Sequence, residues 1–332
     1  MPSKKELSPE IIEKLQLLQE KYSSVGQDLA SYLDGLLYAD FLTYWDYINL
    51  DTLLTLQQPK TPFPDEEVFI IYHQITELYF KLSMNEFTRL RVKSLDSGLS
   101  PKFLLERIRR VNRYFEALTH SFDIMVDGLD QKEFLQFRMS LLPASGFQSG
   151  QYRMIEICST SLDRIVHKGL RDKYANHREE DIEKISKNLY WREGAIEIKS
   201  GKKTLTLKQF EDKYDDEFLQ LAHDFYDNNI RRAYASLKFS KENEGLKDEL
   251  KDAMRWLDVN VNINWPLMHY RSAVRYLQKD TKDISATGGT NWQKYLPPRF
   301  QKRIFYPELW TEDELKDWGK GWVKREVFNI DE

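Results

Sequence analysis

The stretch from residue 65 to residue 91, DEEVFIIYHQITELYFKLSMNEFTRLR, determines the fold class that we predict for this chain. It contains neither glycine nor proline, and its apolar residues recur at intervals of three and four positions, which is the period of a helix. Asp65 and Glu66 place negative charge where a helix N-terminus favours it, and three prolines lie between residues 58 and 64. We therefore predict a loop over 58–64 and then a long helix from residue 65 to residue 91.

The same period continues on both sides of this stretch, because glycine and proline are scarce along the chain. A short turn leading into a helix is predicted within residues 39–57. Further helices are predicted over residues 9–22, 101–129, 130–142, 151–168, 211–240 and 246–278.

Three segments depart from the helical period. Residues 196–207 are predicted to form one small β-hairpin around Gly201. Residues 279–292 are predicted to be a flexible loop, and the last forty residues, which contain several prolines, to be irregular and packed on the body of the protein.

No internal repeat and no clear linker divides the 332 residues. The predicted fold is therefore all-α, a single helical-bundle domain over residues 1–332 with a small hairpin or helical excursion at about residues 172–210. Such a length is sufficient to bury a sizeable core.

Composition excludes several classes of protein. The formal net charge of −4 argues against a nucleic-acid partner, and no stretch approaches the roughly 20 apolar residues of a membrane span. The N-terminus lacks the apolar core of a signal peptide, and Cys158 is the only cysteine, so no intramolecular disulfide can form. These features predict a cytoplasmic globular protein without a membrane or nucleic-acid partner.

Known metal and nucleotide motifs are absent from the sequence. None of the six histidines belongs to a His-Glu-x-x-His motif, and neither a Cys-x-x-Cys pair nor an Asp-rich calcium loop occurs. A glycine-rich nucleotide loop is also missing, as are the alternating strands that would accompany it. Any cofactor must therefore bind by another type of site.

His73 shares one predicted helical face with Phe69, Thr76 and Phe80. In one interpretation its imidazole projects into a space lined by aromatic rings. In the other it is a core histidine that bonds to a backbone carbonyl or to Glu77, which is the commoner role of such a residue. The pattern alone leaves both interpretations open.

His269 lies in the middle of a predicted helix, beside Trp265 and Met268. A single imidazole presented by a long helix in an apolar setting is what haem iron requires as its proximal ligand. Cys158 has no special context that would favour thiolate ligation. A packed core histidine again remains the commoner alternative.

Two further features suit the recognition of a small polar ligand. Arg153 follows the small-residue turn at 143–149, where it could hold a carboxylate through two parallel hydrogen bonds or simply lie on the surface. The adjacent Gly288 and Gly289 allow close backbone approach to a ligand, although loop mobility is the commoner meaning of such a pair.

Taken in order, these segments resemble the motifs of the tryptophan 2,3-dioxygenase family. The similar segments are LTYWDYINLDTLL at 42–54, FIIYHQITELYFK at 69–81, FR at 137–138 with PASGFQSGQYRMIE at 143–156, and His269 followed by Val274, Arg275 and TGGT at 287–290. The resemblance spans residues 40–310, and four ordered motifs of this length are a specific signal.

The resemblance implies a haem site. His269 would be the proximal ligand of haem b, and His73 would lie on the distal side near the indole nitrogen, where it orients the substrate or accepts the indole N–H hydrogen bond. In this assignment His73 is the catalytic residue. It would act by orienting the substrate, and it would not be an obligatory base. Phe69 would form a wall of the substrate pocket.

The resemblance also implies how the amino-acid end is held. Arg153 would bind the substrate carboxylate, and Thr287 would contact the ammonium or carboxylate group as the glycine loop closes. The family is a homotetramer with shared sites, so that Tyr44, Tyr47 and Ile48 would enter the pocket of a neighbouring subunit.

The implied reaction is the cleavage of the indole C2–C3 bond of L-tryptophan by O2, which gives N-formylkynurenine in the first step of the kynurenine pathway. Fixing an electron-rich ring against bound dioxygen in a dry cavity requires positioning rather than a catalytic triad. Two alternatives remain open. One is a related haem enzyme that oxidises or hydroxylates another aromatic amino acid or indole, and the other is a non-catalytic helical binding protein.

The sequence departs from the family pattern at three places. Gly150 stands where the family commonly has leucine, which predicts a larger pocket or a looser helix start. Tyr79 replaces the usual tryptophan, and the stretch between His269 and Thr287 is longer than the family pattern. The predicted substrate contacts at Thr287 therefore depend on the alignment of this loop.

Overall fold

The structure is a computed structural model that describes residues 7–175, 177–197, 200–241, 243–279, 282–283 and 297–320. Helices dominate these residues, and the strands named in them are the two-residue segments β1 (Gln278–Lys279) and β2 (Lys282–Asp283), which pair antiparallel. The predicted all-α class is confirmed. No helix in the described ranges is both long enough and apolar enough to cross a membrane.

The contacts within the chain form two compact units, one ending at Gln58 and the other beginning at Pro59. The single domain over residues 1–332 therefore stays a prediction, and the two units are described separately.

The first unit consists of helices with little burial. Its helices are α1 (Pro9–Ser24), α2 (Leu29–Leu37), α3 (Tyr44–Ile48) and α4 (Leu50–Leu53). The Ser8 side chain caps α1 by accepting a hydrogen bond from the backbone N–H of Ile11 in its first turn. The predicted helix within 39–57 is divided in two, because Asn49 between α3 and α4 adopts a left-handed conformation with φ 52°.

The second unit is built around two long helices, α5 (Asp65–Ser97) and α6 (Pro101–Ser121). The predicted helix beginning at residue 65 is confirmed and extends six residues beyond its predicted end, to a stop at Gly98 with φ 75°. One face of α6 is fully buried and packs against both α5 and α16 (Gly245–Val259). This packing forms the main hydrophobic core.

The other helices of the second unit surround this pair. They are α7 (Asp123–Val126), α8 (Gln131–Phe137), α9 (Gly150–Ser159), α10 (Leu162–Ile165), α11 (Arg171–Tyr174), α12 (Ile182–Ser186), α13 (Trp191–Gly194), α14 (Leu205–Asp224), α15 (Ile230–Ser236), α17 (Trp265–Leu277), α18 (Pro298–Gln301) and α19 (Glu312–Lys316).

The helix predicted over 246–278 is interrupted by a π turn at Asn260–Asn264 that separates α16 from α17. The backbone N–H of Trp265 reaches back five residues, to the carbonyl of Asn260. Pro266 has no N–H to continue an α-helical ladder at this point, so a change of register costs little here. The turn determines the direction in which α17 presents His269.

Three other predicted helices are shorter than expected. The helix predicted over 101–129 breaks into α6 and α7, that over 151–168 into α9 and α10, and that over 211–240 into α14 and α15. Before α15, Asn229 accepts a hydrogen bond from the backbone N–H of Arg232 and so begins a new helix.

The β-hairpin predicted over 196–207 is present around its turn but is shorter than predicted. One antiparallel bridge joins Ile196 to Lys203, and Gly201 in the turn has φ 66°. Leu205 already begins α14, because the Thr204 side chain caps that helix by accepting from Leu207 N. Helix formation thus ends the strand pairing that the alternating pattern predicted.

The C-terminal part that the structure describes, residues 297–320, consists of short helical turns on the second unit. Phe305, Tyr306 and Trp318 are buried there, as the predicted packing on the body of the protein requires. Most of the loop predicted over 279–292 lies outside the described residues.

Candidate active site

His73 lies on α5 against an aromatic wall. Its Nδ1 bonds to the backbone carbonyl of Phe69 at 2.7 Å, and the Phe69 ring lies 4.1 Å from the imidazole, centroid to centroid. Phe69 in turn contacts Phe134 and Phe137 of α8, at 6.3 and 5.9 Å. The imidazole is half-buried, so it combines the backbone bond of a core histidine with a position at an accessible aromatic surface.

His73 is held in its neutral form. Burial lowers the pKa of His73, and the Phe69 carbonyl and Glu77 oppose this effect only in part. Because a carbonyl only accepts hydrogen bonds, Nδ1 carries the proton and Nε2 is left as an acceptor. The residue can therefore receive a hydrogen bond from a ligand N–H.

His269 lies on α17 in an equivalent local arrangement. Its Nδ1 bonds to the carbonyl of Trp265 at 3.1 Å, one helical turn earlier. Burial, with a smaller contribution from His73, lowers the pKa of His269 to about 4, although the bond to the Trp265 carbonyl opposes the shift. In the part of the chain that the structure describes, Nε2 makes no hydrogen bond, so a neutral imidazole presents its lone pair.

The two histidines are brought together although they come from distant parts of the sequence. The two imidazoles are near enough for His73 to contribute to the lowered pKa of His269. Aromatic rings also link them, since Tyr72 next to His73 contacts Phe122 at 5.6 Å, and Phe122 contacts the His269 ring at 4.6 Å. Trp265 covers another side of the His269 imidazole, at 4.5 Å between centroids.

The residues at His269 fit a haem iron. Proximal ligation requires a neutral imidazole with one nitrogen free for the metal and the other fixed by a hydrogen bond, and His269 satisfies both conditions. Cys158 does not fit as a ligand, because burial raises the pKa of its thiol well above the ordinary value and so disfavours the thiolate. The donor set therefore matches histidine-ligated haem.

Arg153 is buried on α9, and the alternative of a surface arginine is wrong. Its Nη1 donates to Glu156 Oε2 at 3.1 Å and to the hydroxyl of Tyr190. Among the described residues, Arg153 donates hydrogen bonds only through Nη1. Its Nε is buried and has no hydrogen-bond partner among these residues. The edge formed by Nε and Nη2 is the one that binds a carboxylate with two parallel bonds.

Sequence reasoning missed the groups that surround Arg153. The Nη1 of Arg303 donates to Glu156 Oε1 and to the Tyr190 hydroxyl, and it lies 3.3 Å from the hydroxyl of Tyr152. Glu156 follows Arg153 by one helical turn and could have been paired with it from their spacing. Tyr190 and Arg303 come from distant segments, and no local pattern marks them.

The arginine and the histidines are connected through intervening rings rather than by direct contact among the described residues. The Tyr152 hydroxyl donates to the carbonyl of Val261 in the π turn at 2.8 Å. The Phe80 ring lies between Tyr152 and Trp265, at 5.7 and 5.6 Å from them. Arg153 and His269 thus belong to one packed body.

Gly150 neither enlarges a pocket nor loosens its helix. A Cβ at this position would lie 2.5 Å from the ring of Tyr214, so the tyrosine fills the space of the leucine that is common in the family. The Ser149 side chain caps the helix start by accepting from Tyr152 N at 3.4 Å. Both consequences predicted for Gly150 are therefore wrong.

Three of the remaining predicted site residues belong to the first unit, and the fourth is not described. Tyr44, Tyr47 and Ile48 form much of α3 in the first unit, where Tyr44 and Tyr47 are 70 % and 75 % exposed. Thr287 lies outside the described residues.

Comparison with known proteins supports one family. A family profile described as tryptophan 2,3-dioxygenase matches residues 37–190, a range that includes Phe69, His73 and Arg153 but not His269. The chain is 40 % identical to the tryptophan 2,3-dioxygenase of Ruegeria sp. (strain TM1040) over 119 residues, which are 36 % of this chain and 42 % of that protein.

Similarity to other relatives is weaker but longer. The tryptophan 2,3-dioxygenase of Bacillus thuringiensis subsp. konkukian (strain 97-27) is 27 % identical over 276 residues, 81 % of this chain and 91 % of that protein. That of Bacillus thuringiensis (strain Al Hakam) is 28 % identical over 275 residues, with the same shares. The match to the Ruegeria protein, at 40 % identity, thus covers less than half of that protein. The matches to the two Bacillus proteins, at 27 % and 28 % identity, cover nearly the whole of each.

Proposed function

Because this chain belongs to the tryptophan 2,3-dioxygenase family, and by that membership is an enzyme of the dioxygenase class, we propose that it cleaves the indole C2–C3 bond of L-tryptophan with O2 to give N-formylkynurenine. This reaction is the first step of the kynurenine pathway. The observation that carries the proposal is the neutral imidazole of His269, whose Nε2 has no protein partner among the described residues.

His269 would hold haem b through Nε2, and its bond to the Trp265 carbonyl would fix the orientation of the ring. When bound, haem supplies the activation of O2. The surrounding rings of Phe122 and Trp265 exclude water from this side of the imidazole and so preserve its neutral form.

The substrate would be held at both ends. Phe69 offers a flat apolar surface to the indole ring, and His73 Nε2 would accept the hydrogen bond of the indole N–H. A histidine whose pKa is lowered by burial is a weak base, which suits orientation better than proton abstraction. At the other end, the Nε and Nη2 edge of Arg153 would bind the α-carboxylate, with Thr287 as a second contact.

A homotetramer with shared sites completes the proposal. Tyr44, Tyr47 and Ile48 would enter the pocket of a neighbouring subunit, and their exposure within the first unit supports an intermolecular role. A second exposed apolar stripe runs along α5 at helical spacing. Its members are Ile71, Ile75, Leu78 and Leu82.

Cytoplasmic localisation stays a prediction.

Reconstitution with haemin, followed by an absorption spectrum with and without L-tryptophan under O2, tests the function directly. We expect a Soret band that changes when L-tryptophan is added, and a product heavier than the substrate by two oxygen atoms. A product with one added oxygen indicates the hydroxylating alternative, and a preparation without a Soret band indicates the non-catalytic binding protein. Either result contradicts the proposed dioxygenation.

A further inference from the structure

The cluster around Glu156 buries more positive than negative charge. Arg153 and Arg303 are 8 % and 5 % exposed, and they share Glu156, which is fully buried. Tyr152 and Tyr190 add no negative charge, because burial raises the pKa of both hydroxyls above their ordinary value. Two guanidinium groups against one carboxylate leave one positive charge uncompensated within this group, and such a charge is costly to bury without an anion.

The two oxygens of Glu156 are divided between the two arginines. Oε1 accepts from Arg303 and from the Tyr190 hydroxyl, whereas Oε2 accepts from Nη1 of Arg153. Among the described residues Arg153 is thereby hydrogen-bonded through Nη1 only, and its buried Nε has no hydrogen-bond partner. Arg303 takes up the charge of Glu156, which otherwise would neutralise Arg153.

The position of Arg303 is determined by the backbone on both sides of it. The guanidinium of Arg171 donates to the carbonyl of Lys302 at 2.7 Å. Asp258 accepts from the backbone N–H groups of Phe305 and Tyr306, at 2.9 and 3.2 Å. These bonds hold the segment before and after Arg303 against the second unit, so its side chain enters the cluster from a fixed point.

We propose that Arg303 is a positioning residue for the substrate carboxylate, because it neutralises Glu156 and so leaves the charge of Arg153 available to an incoming anionic group. The inference rests on the proposed function, in which Arg153 binds that carboxylate. If the inference holds, Arg303 makes the site bind an indole compound with a carboxylate more tightly than one without a carboxylate. Without Arg303, Glu156 compensates Arg153, and the preference falls.

The haem-loaded Arg303→Met variant tests this role with two ligands, L-tryptophan and tryptamine, which lacks the carboxylate. We expect the affinity for L-tryptophan to fall by about tenfold or more and that for tryptamine to change by less than about threefold. In turnover, KM for L-tryptophan rises much more than kcat falls, because Arg303 does not touch the reacting ring. Equal weakening of both ligands indicates a merely structural role and overturns the inference.

A charge-matched double variant separates positioning from folding. Glu156→Gln combined with Arg303→Met removes one charge of each sign, and we expect it to recover most of the preference for L-tryptophan that Arg303→Met alone loses. A structural role predicts that the second substitution adds to the damage, which contradicts the inference. The double variant restores the net charge of the wild-type cluster, so it provides the decisive measurement if Arg303→Met alone does not fold.

Arg153→Met distinguishes the two proposals from each other. If this variant keeps the wild-type preference for L-tryptophan over tryptamine, the proposed carboxylate site is wrong, and the inference falls with it. If Arg153→Met loses the preference but Arg303→Met keeps it, the proposed function stands and only the role of Arg303 is overturned.

Discussion

Two imidazoles on different helices, α5 and α17, show how one backbone bond determines the chemistry of a side chain. His73 and His269 each bond through Nδ1 to the carbonyl four residues earlier, at 2.7 and 3.1 Å. In both, this bond assigns the proton to Nδ1 and leaves Nε2 as the reactive nitrogen. The same local geometry therefore suits both proposed roles, a metal ligand at His269 and a hydrogen-bond acceptor at His73.

His269→Ala is expected to abolish stable haem binding, because it removes the imidazole proposed as the proximal ligand of the iron. The measurement is the Soret absorbance per protein after haemin reconstitution and removal of excess haemin. His73→Ala is the matched control and is expected to retain haem, since it removes the other imidazole of the site. A normal haem spectrum in His269→Ala contradicts the ligand assignment.

Gly150→Leu is expected to destabilise the second unit by about 1–3 kcal/mol, because the new side chain must displace the ring of Tyr214, which lies 2.5 Å from a Cβ at this position. Thermal unfolding measures the effect. Adding Tyr214→Ala to Gly150→Leu is expected to recover part of the loss, since it empties the space that the leucine needs. Gly35→Ala on α2, where no atom lies within 4 Å of the new Cβ, is the control and should not destabilise; helix propensity predicts a gain of up to about 1 kcal/mol.

At the scale of elements, helix ends depend on contacts that the periodic pattern does not contain. The π turn before α17 joins Asn262 to Asp258 and Asn264 to Asn260 through side-chain bonds of 2.8 and 3.0 Å. The apolar period continues through this turn, which is why one helix was predicted across it. Pro266 was visible in the sequence and could have indicated the change of register.

Asp258 ties α16 to the C-terminal segment. One of its oxygens accepts from Phe305 N and the other from Tyr306 N and Trp310 Nε1. Burial raises the pKa of Asp258 to about 6 from its ordinary value of 3.8, although these hydrogen bonds oppose the shift. Since the folded pKa is the higher one, the stability that this group contributes is full below about pH 4 and is lost as the pH rises through 6.

Asp258→Asn removes this titration and should therefore change the pH dependence of unfolding. The wild type is expected to lose on the order of 3 kcal/mol relative to the variant between pH 4 and pH 7. Urea unfolding of both proteins at several pH values gives the difference. A difference that does not vary with pH would mean that the four hydrogen bonds keep the carboxylate ionised throughout this range.

At the scale of the whole molecule, the proposed tetramer makes each site depend on two chains. The large exposed side chains of α3, such as Tyr44 and Tyr47, have no described partner that would cover them within the first unit. Burial against a second copy would remove this apolar surface from water, which is the usual reason for such a patch on a stable protein.

Mixing two inactive variants tests the shared site. Arg153→Met and the double variant Tyr44→Ala with Tyr47→Ala are each expected to have low activity as pure tetramers. After unfolding and refolding together, some sites combine an intact Arg153 with an intact α3 from the neighbour, so partial activity returns. Mixed samples that stay as inactive as the separate variants, although mass measurement shows mixed tetramers, contradict the shared site.

The class of the fold and the first approximation to the site were already contained in the sequence. The long helix from residue 65 was predicted to within six residues of its end, and His73 was placed on its correct face beside Phe69. These features are local, because helical periodicity, capping side chains and glycine stops act over a few neighbouring residues. The family motifs added the roles proposed for Arg153 and His269.

Only the tertiary structure decided what surrounds these residues. The burial of Arg153, its sharing of Glu156 with Arg303, and the filling of the space at Gly150 by Tyr214 all join segments that are far apart in the chain. Such contacts depend on how helices pack, and no periodic pattern specifies which distant side chain a given face will meet. For the same reason, the hairpin around Gly201 was predicted from its own residues but is shortened by the helix that begins at Leu205.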